Sequence, residues 1–306
     1  MRRFLFLLII VLCDAPGPAQ ACALSIETTS TTSFAGAAGR GYDVFDPTTY
    51  FQPLTFRVRA VEGTCPFYIT AGPANSATGV GQLLGTGGTL SFAVYREAND
   101  AQVLRAGALA TAAEVLTGRL KEKETASYQL TYAIPPQQIV AAGAFTGDVE
   151  IAVYEGNVGS GVLRARQIVP LSTMVAAVTE LSFAQGQFDP NVGVYLLNFN
   201  TMHRGDIKGV TLHTRSNGGY RIYLRSVNGG VMRQLVPLDN SAVPYTLSVD
   251  GKTIPITDSD IQVVSFPGAT SPSGNAHRVD VLIGDIAGVA AGDYADLISI
   301  SIYSFR

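Results

Sequence analysis

Three stretches of this 306-residue chain recur in the same order about 150 residues further on, and a β pattern repeated at that spacing restricts the fold to two copies of one architecture. The stretch "TFRVRAVEGTCPFYIT" (55–70) parallels "VTLHTRSNGGYRIYL" (210–224), each reading as a strand, a tight turn and a second strand. "GTLSFAVYRE" (88–97) parallels "AVPYTLSVDG" (242–251). "AAGAFTGDVEIAVYEG" (141–156) parallels "AGVAAGDYADLISISIYSF" (287–305), which aligns Gly143 with Gly292, Phe145 with Tyr294, Val149 with Ile298, Ile151 with Ile300 and Tyr154 with Tyr303. That last copy contains Ile298-Ser299-Ile300-Ser301-Ile302, the period-2 pattern of a strand with one face in a core. Only 15% of residues are charged, there are 32 Gly and no Trp, and turn residues fall at short intervals, as in an all-β protein. The sequence therefore predicts two tandem immunoglobulin-like β-sandwich domains, residues 22–172 and 173–306.

The chain opens "MRRFLFLLIIVLCDAPGPAQACAL": two arginines, the apolar run Phe4 to Leu12, then Ala19-Gln20-Ala21 as a small-x-small cleavage site. This reads as a secretory signal peptide over residues 1–21, so the mature protein is expected to begin at Cys22 and to be exported. A lipidated Cys22 competes with that reading, although Ala19 stands where a lipobox carries Leu. Cys13 leaves with the signal, and Cys22 and Cys65 form an even pair that predicts one disulfide, with two free thiols as the alternative. Such a loop contributes on the order of 3–4 kcal/mol in the chain-entropy account. The net charge of −3 and the absence of a basic stripe argue against a nucleic-acid partner.

The two copies differ at their ends. After Asp148–Tyr154 the first continues through "EGNVGSG" into "VLRARQIVPL" (162–171), a further strand-like run, and the second has no equivalent. The second sandwich is thus expected to lack its final strand and to present a groove lined by Ile298, Ile300 and Ile302. An open apolar edge is a hazard that proteins cover, and a strand added from another chain is one way to cover it.

Several of these residues carry a family resemblance. Cys22, "GYDVFDPTTY" (41–50), Cys65 after a strand, "LSFAVYRE" and the closing "AAGDYADLISISIY" resemble the spore coat protein U domain of archaic, Csu-type chaperone-usher pili. The terminal signature of that domain, a Gly-x-Tyr-x-Asp turn before an alternating strand, is matched by Gly292-Asp293-Tyr294-Ala295-Asp296. The first copy departs from it at Phe145 and Gly147, and the second lacks the cysteine pair. The resemblance implies a two-domain tip adhesin: a self-contained N-terminal domain, then a pilin domain awaiting a donor strand. It implies as partners a periplasmic pilus chaperone, an outer-membrane usher, the next pilin subunit, and an abiotic surface or host receptor, with display on the cell surface at the pilus tip. No spare apolar segment precedes Cys22, so this chain is expected to accept a strand without giving one. The alternatives are a structural pilin or adaptor within the fibre, and a secreted carbohydrate-binding β-sandwich.

Loops of consecutive antiparallel strands alternate between poles, which puts the 61–66 turn, the 97–126 connection and residues 155–161 at the pole far from the second domain. The 97–126 connection is long and apolar, and Val103, Leu104, Leu109, Val115 and Leu116 are its candidate ligand-binding residues. The same segment reads equally as a short amphipathic helix, because Leu104, Ala108, Leu109, Ala112, Ala113 and Leu116 fall at helical spacing. A lower-ranked candidate is "ATGVGQLLGTGG" (77–88), with Val80, Leu83 and Leu84 between glycines.

No catalytic constellation or cofactor motif stands out. His203, His213 and His277 lack metal-ligand spacing, Ser160 in "GNVGSG" lacks the strand-to-helix setting of a nucleophile, and the acidic residues are scattered. The chain is therefore not expected to be an enzyme. Arg204-Gly205-Asp206 is a receptor-recognised tripeptide that also arises by chance, and "SNGG" (216–219) and "VNGG" (227–230) read as hairpin turns.

Overall fold

The structure, a computed structural model, describes residues 22–28, 32–74, 76–98, 100, 102–107, 110–183, 188, 193–236 and 240–305. The signal-peptide expectation for residues 1–21 lies outside these. The architecture is all-β, as the alternating apolar pattern requires, with 3-10 turns at Ala37–Gly39 and Ala112–Glu114.

The first half contains β1 (Ala23–Thr28), β2 (Ser33–Phe34), β3 (Tyr50–Glu62), β4 (Cys65–Pro73), β5 (Val80–Gly85), β6 (Gly88–Tyr95), β7 (Leu116–Leu120), β8 (Thr125–Ile134), β9 (Gly143–Glu155) and β10 (Val162–Val175). One layer runs β1-β3-β8-β6-β5 and the other β7-β4-β9-β10-β2. They form one curled sheet because the end of β5 pairs with the start of β9, through Leu84–Thr146 and Gly85–Phe145. The second half contains β11 (Thr179–Ser182), β12 (Ile207–Ser216), β13 (Gly219–Ser226), β14 (Val231–Gln234), β15 (Ala242–Val249), β16 (Lys252–Ile254), β17 (Ile261–Phe266), β18 (Asn275–Ile283), β19 (Tyr294–Ala295) and β20 (Ile298–Phe305). Its layers are β11-β12-β18-β15-β14 and β17-β13-β20.

The repeat in the sequence is a repeat of pairing. β1, β3, β8, β6 and β5 are matched in order by β11, β12, β18, β15 and β14, and β7-β4-β9 by β17-β13-β20. β19 and β20 together correspond to β9, since β19 pairs with β14 as the start of β9 pairs with β5. Each half packs around its own apolar core.

The turns at 216–219 and 227–230 are not hairpins. β12 pairs with β11 and β18 while β13 pairs with β17 and β20, so "SNGG" carries the chain from one layer to the other. Buried Asn217 is committed elsewhere. Its amide Nδ2 donates to Ala176 O at 2.8 Å and its Oδ1 accepts from Val178 N at 2.9 Å, which fixes residues 176–178 between β10 and β11. "VNGG" leads from β13 to β14, which pairs with β15 and β19; Gly229 and Gly230, at φ 70° and 87°, supply left-handed backbone that glycine alone adopts without strain. β10 runs through the expected boundary at residue 172 to Val175.

Cys22 and Cys65 are joined, with their Cα atoms 5.9 Å apart, so the disulfide ties the start of β1 to the start of β4 in the opposite layer. The "GYDVFDPTTY" segment folds against the end of β10. Buried Tyr42 donates its hydroxyl to Pro135 O and accepts from Gln138 N, both at 2.8 Å, and burial pushes its phenol up to about 12. Val44 and Phe45 enter the first core behind it.

Candidate functional site

The alternation Ile298, Ile300, Ile302 places three aliphatic side chains on the inner face of β20. β20 pairs with β13 along its whole length, from Ser226–Ile298 to Gly219–Phe305. Its counterpart β9 is paired on both edges, by β4 on one side and by thirteen register pairs with β10 on the other. Among the described residues β20 has no partner on that second edge. The cores respond accordingly. Val149, Ile151 and Val153 of β9 are fully buried, and β10 runs beside them, with Val169, Gln167 and Ala165 as their register partners and Leu171 and Val175 further along in the same core. Ile298, Ile300 and Ile302 are each only half-buried. Ile298 and Ile300 pack against the second core as partly buried residues, whereas their counterparts Val149 and Ile151 belong to the buried first core.

Asp296 fixes the base of β20. Its carboxylate accepts from Ser226 Oγ and Tyr245 Oη, each at 2.6 Å, from Asn228 N at 3.1 Å and from Leu297 N at 2.8 Å. Burial, and then this carboxylate, raise the Tyr245 phenol well above its ordinary value. Tyr294 donates to Ala290 O at 2.7 Å, so both side chains of the Gly-x-Tyr-x-Asp signature close the turn that delivers β20 to the edge. With its lower end held in this way, β20 presents a row of backbone groups along an edge that no described strand pairs.

The pole at which β3 ends and β4, β8 and β10 begin is the other candidate. The 97–126 connection is not a projecting finger there, nor an amphipathic helix; it crosses the side of the sandwich between layers. Leu104 is buried, with its N–H on Val94 O at 2.8 Å, and Val103 is half-buried in a bridge to Tyr95. Val115 is buried with Ala110 against the stacked rings of Tyr68 and Tyr154, whose centroids are 5.0 Å apart. Leu116, half-buried, begins β7, and Leu109 lies outside the described residues. The crossing is held by Gly107 N on Thr70 Oγ1 at 3.2 Å and by Arg96 Nη2 on Ala113 O at 2.8 Å. Both partners sit on the sandwich wall, which is why the apolar residues turn inward.

Other residues occupy the far pole. Val61 is the last residue but one of β3, and Val162 and Leu163 begin β10; all three are exposed, the last two by 56% and 47%. Both residues of β10 stand exposed at its free start, and just beyond them the register slips between Leu163 and Ala165, a β-bulge at Arg164. The adjacent pair Val162-Leu163 just after a glycine turn was the available sequence signal. Arg204-Gly205-Asp206 forms a tight turn at the start of β12, in which the Asp206 carboxylate accepts from His203 N at 2.7 Å. Among the described residues no group of three or more metal-ligating side chains assembles.

No family model matches the sequence, and no curated protein matches it. Among solved structures, the chain is similar to the chaperone–tip adhesion subunit pre-assembly complex of CsuC and CsuE from the archaic Csu pili of Acinetobacter baumannii, at 12% identity over 93% of this chain and 100% of that one, with a TM-score of 0.43. It is similar to the CupB6 tip adhesin of Pseudomonas aeruginosa at 11% identity, covering 91% and 93% of the two chains, with a TM-score of 0.37. It is also similar to the CssB subunit complemented with a donor strand from CssA, of the colonization factor CS6 of enterotoxigenic Escherichia coli, at 14% identity over 50% of this chain and 97% of that chain, with a TM-score of 0.30. At such low identities and TM-scores these likenesses assign no function.

Proposed function

We propose that this chain is the tip adhesin subunit of a chaperone-usher pilus, whose C-terminal sandwich accepts a strand from the next subunit and whose N-terminal sandwich meets the target surface. One observation carries the reading: β9 is paired on both edges and its side chains are sealed, while β20, its equivalent, is paired on one edge and its isoleucines are half-open. In the first sandwich that second edge is filled in cis. β10 supplies Val169, Leu171 and Val175 to the core, each contributing about 1.5–3 kcal/mol on burial before the ordering of the strand is subtracted. A donor strand does the same in trans, and before assembly a periplasmic chaperone protects the edge.

The tip position is supported by the other end of the chain. Cys22 is buried and bonded to Cys65, and Ala23–Thr28 pair with β3 inside the first sandwich, so these residues are already used as an internal strand. The resemblance of "GYDVFDPTTY" and "GDYAD" to the spore coat protein U domain agrees with this reading. An outer-membrane usher and an abiotic or host surface complete the set of partners.

The test is to fuse a copy of Val162–Val175 after Arg306 through a short Gly/Ser linker. A gain of a few kcal/mol raises the melting temperature of the C-terminal transition by about 10 °C or more at roughly 2–8 °C per kcal/mol, and protease resistance rises with it. A strand with Asp at the positions of Val169 and Leu171 gives no gain. Equal effects of the two fusions, or no effect of either, overturn the strand-acceptor reading.

A further inference from the structure

Where the layers of the first sandwich part, an open cleft of about 720 Å3 lies on the flank between β5, β9 and β10. We propose that this cleft binds a neutral saccharide.

The cleft follows from the pairing. β5 bonds to β9 only through Leu84 and Gly85, and from Val149 onward β4 takes that edge of β9, so the strands fork. At the fork, glycine is required for close approach. A Cβ on Gly147 would meet Gln82 O at 2.6 Å, and one on Gly81 would meet Pro73 Cβ at 2.3 Å. Gly147 is also where the first copy departs from the Gly-x-Tyr-x-Asp signature, and the second copy carries the Asp296 carboxylate there.

Six side chains define its chemistry. Leu84, Thr146 and Ser172 stand in one row across three strands, and Asp148 and Pro170 in the next, with Gln82 beside them on β5. Gln82, Thr146 and Asp148 are exposed, Ser172 is half-buried, and their polar atoms form no side-chain hydrogen bond or ion pair among the described residues. The carboxylate only accepts, whereas the amide and the two hydroxyls both donate and accept. A ligand satisfying this set presents hydroxyl groups along one edge and an apolar face to Leu84, which is 60% exposed, and to Pro170. Sugars have that two-sided character. Asp148 and the lack of any Lys or Arg in the lining disfavour an acidic sugar, and one carboxylate alone does not make a cation site. The volume falls within the range of about 300–1,000 Å3 for small-ligand sites.

This site belongs wholly to the first sandwich, so its test is separate from that of strand acceptance. Saturation-transfer NMR on the full chain with maltose, lactose and cellobiose should give transfer from at least one of them. Asp148→Ala and Leu84→Lys, both at exposed positions and checked for unchanged melting, should each weaken that binding by about tenfold, the first through loss of a hydrogen bond to a charged group and the second through loss of the apolar face. The proposal is overturned if none of the three sugars gives transfer, if both variants retain it in full, or if sodium glucuronate binds as well as the neutral sugars.

Discussion

Glu114 is buried on the side wall of the first sandwich, and what keeps it ionised there is Arg105, whose Nε and Nη2 reach its two oxygens at 2.6 and 2.8 Å. Thr111 adds its N–H at 2.7 Å and its hydroxyl at 2.8 Å, closing the capping box around residues 112–114. The Arg105 hydrogen bonds, ahead of those from Thr111 and against the opposing effect of burial, lower the carboxyl from its ordinary 4.5 to about 2. A carboxylate whose folded value lies below its unfolded one adds stability that is complete above about pH 4.5 and disappears as the pH falls toward about 2. Thermal melts of the wild type should therefore fall through that window more steeply than those of Glu114→Gln, which at pH 7 should be about 1–3 kcal/mol less stable. Parallel melting curves would remove Glu114 as a determinant. The surroundings of this residue also show what the sequence hid. The helical spacing of Leu104 to Leu116 was legible, but Gly107, at φ 94°, breaks the run, and only a 3-10 turn survives before Val115 turns extended. Tertiary anchors on Thr70 and Arg96 decide the path, and no local periodicity encodes them.

For the strands, the sequence carried the correspondence between β9 and β20 because alternating apolar residues fix which face is inward, and Val149, Ile151, Ile298 and Ile300 align without gaps. It did not carry the layer each strand joins. A turn such as "SNGG" specifies backbone conformation, and the decision between a hairpin and a crossing rests on distant partners such as β17 and β18. The cleft on β5, β9 and β10 was likewise out of reach. Leu84 had been singled out, but its neighbours Thr146 and Ser172 are brought to it by pairing across long sequence separations. Asp296 gathers four donors at the base of the free edge. Asp296→Ala leaves Ser226, Asn228 and Tyr245 without their shared acceptor and should cost about 2–4 kcal/mol, as a charged acceptor with several donors implies. Hydrogen exchange would then be faster along β20 than in β12 and β18, and a uniform change across the sandwich would refute a local anchoring role.

In the whole molecule the two sandwiches sit in tandem. The open edge is in the C-terminal one, and the exposed Val61, Val162 and Leu163 are at the end of the N-terminal one that points away from it. The adhesin reading places surface contact at that far end. Val162→Ser together with Leu163→Ser should lower retention on polystyrene several-fold while the melting temperature stays within about 2 °C, since exposed substitutions cost little. Unchanged retention by the folded double variant would move the contact elsewhere on the molecule.

The junction gives the assembly a mechanical character. Arg215 of β12 lies over the ring of Phe45 from the first sandwich at 4.7 Å and over Phe188 at 4.4 Å, paired with Glu180, while Asn217 grips residues 176–178. Tension applied across the junction would pass through residues 176–178, the covalent link, into β10. That strand is bonded to β9 by a long antiparallel ladder whose hydrogen bonds lie across the direction of pull. Load is then shared by all of them at once instead of opening them one after another, so the link between the two bodies resists shear rather than unzipping.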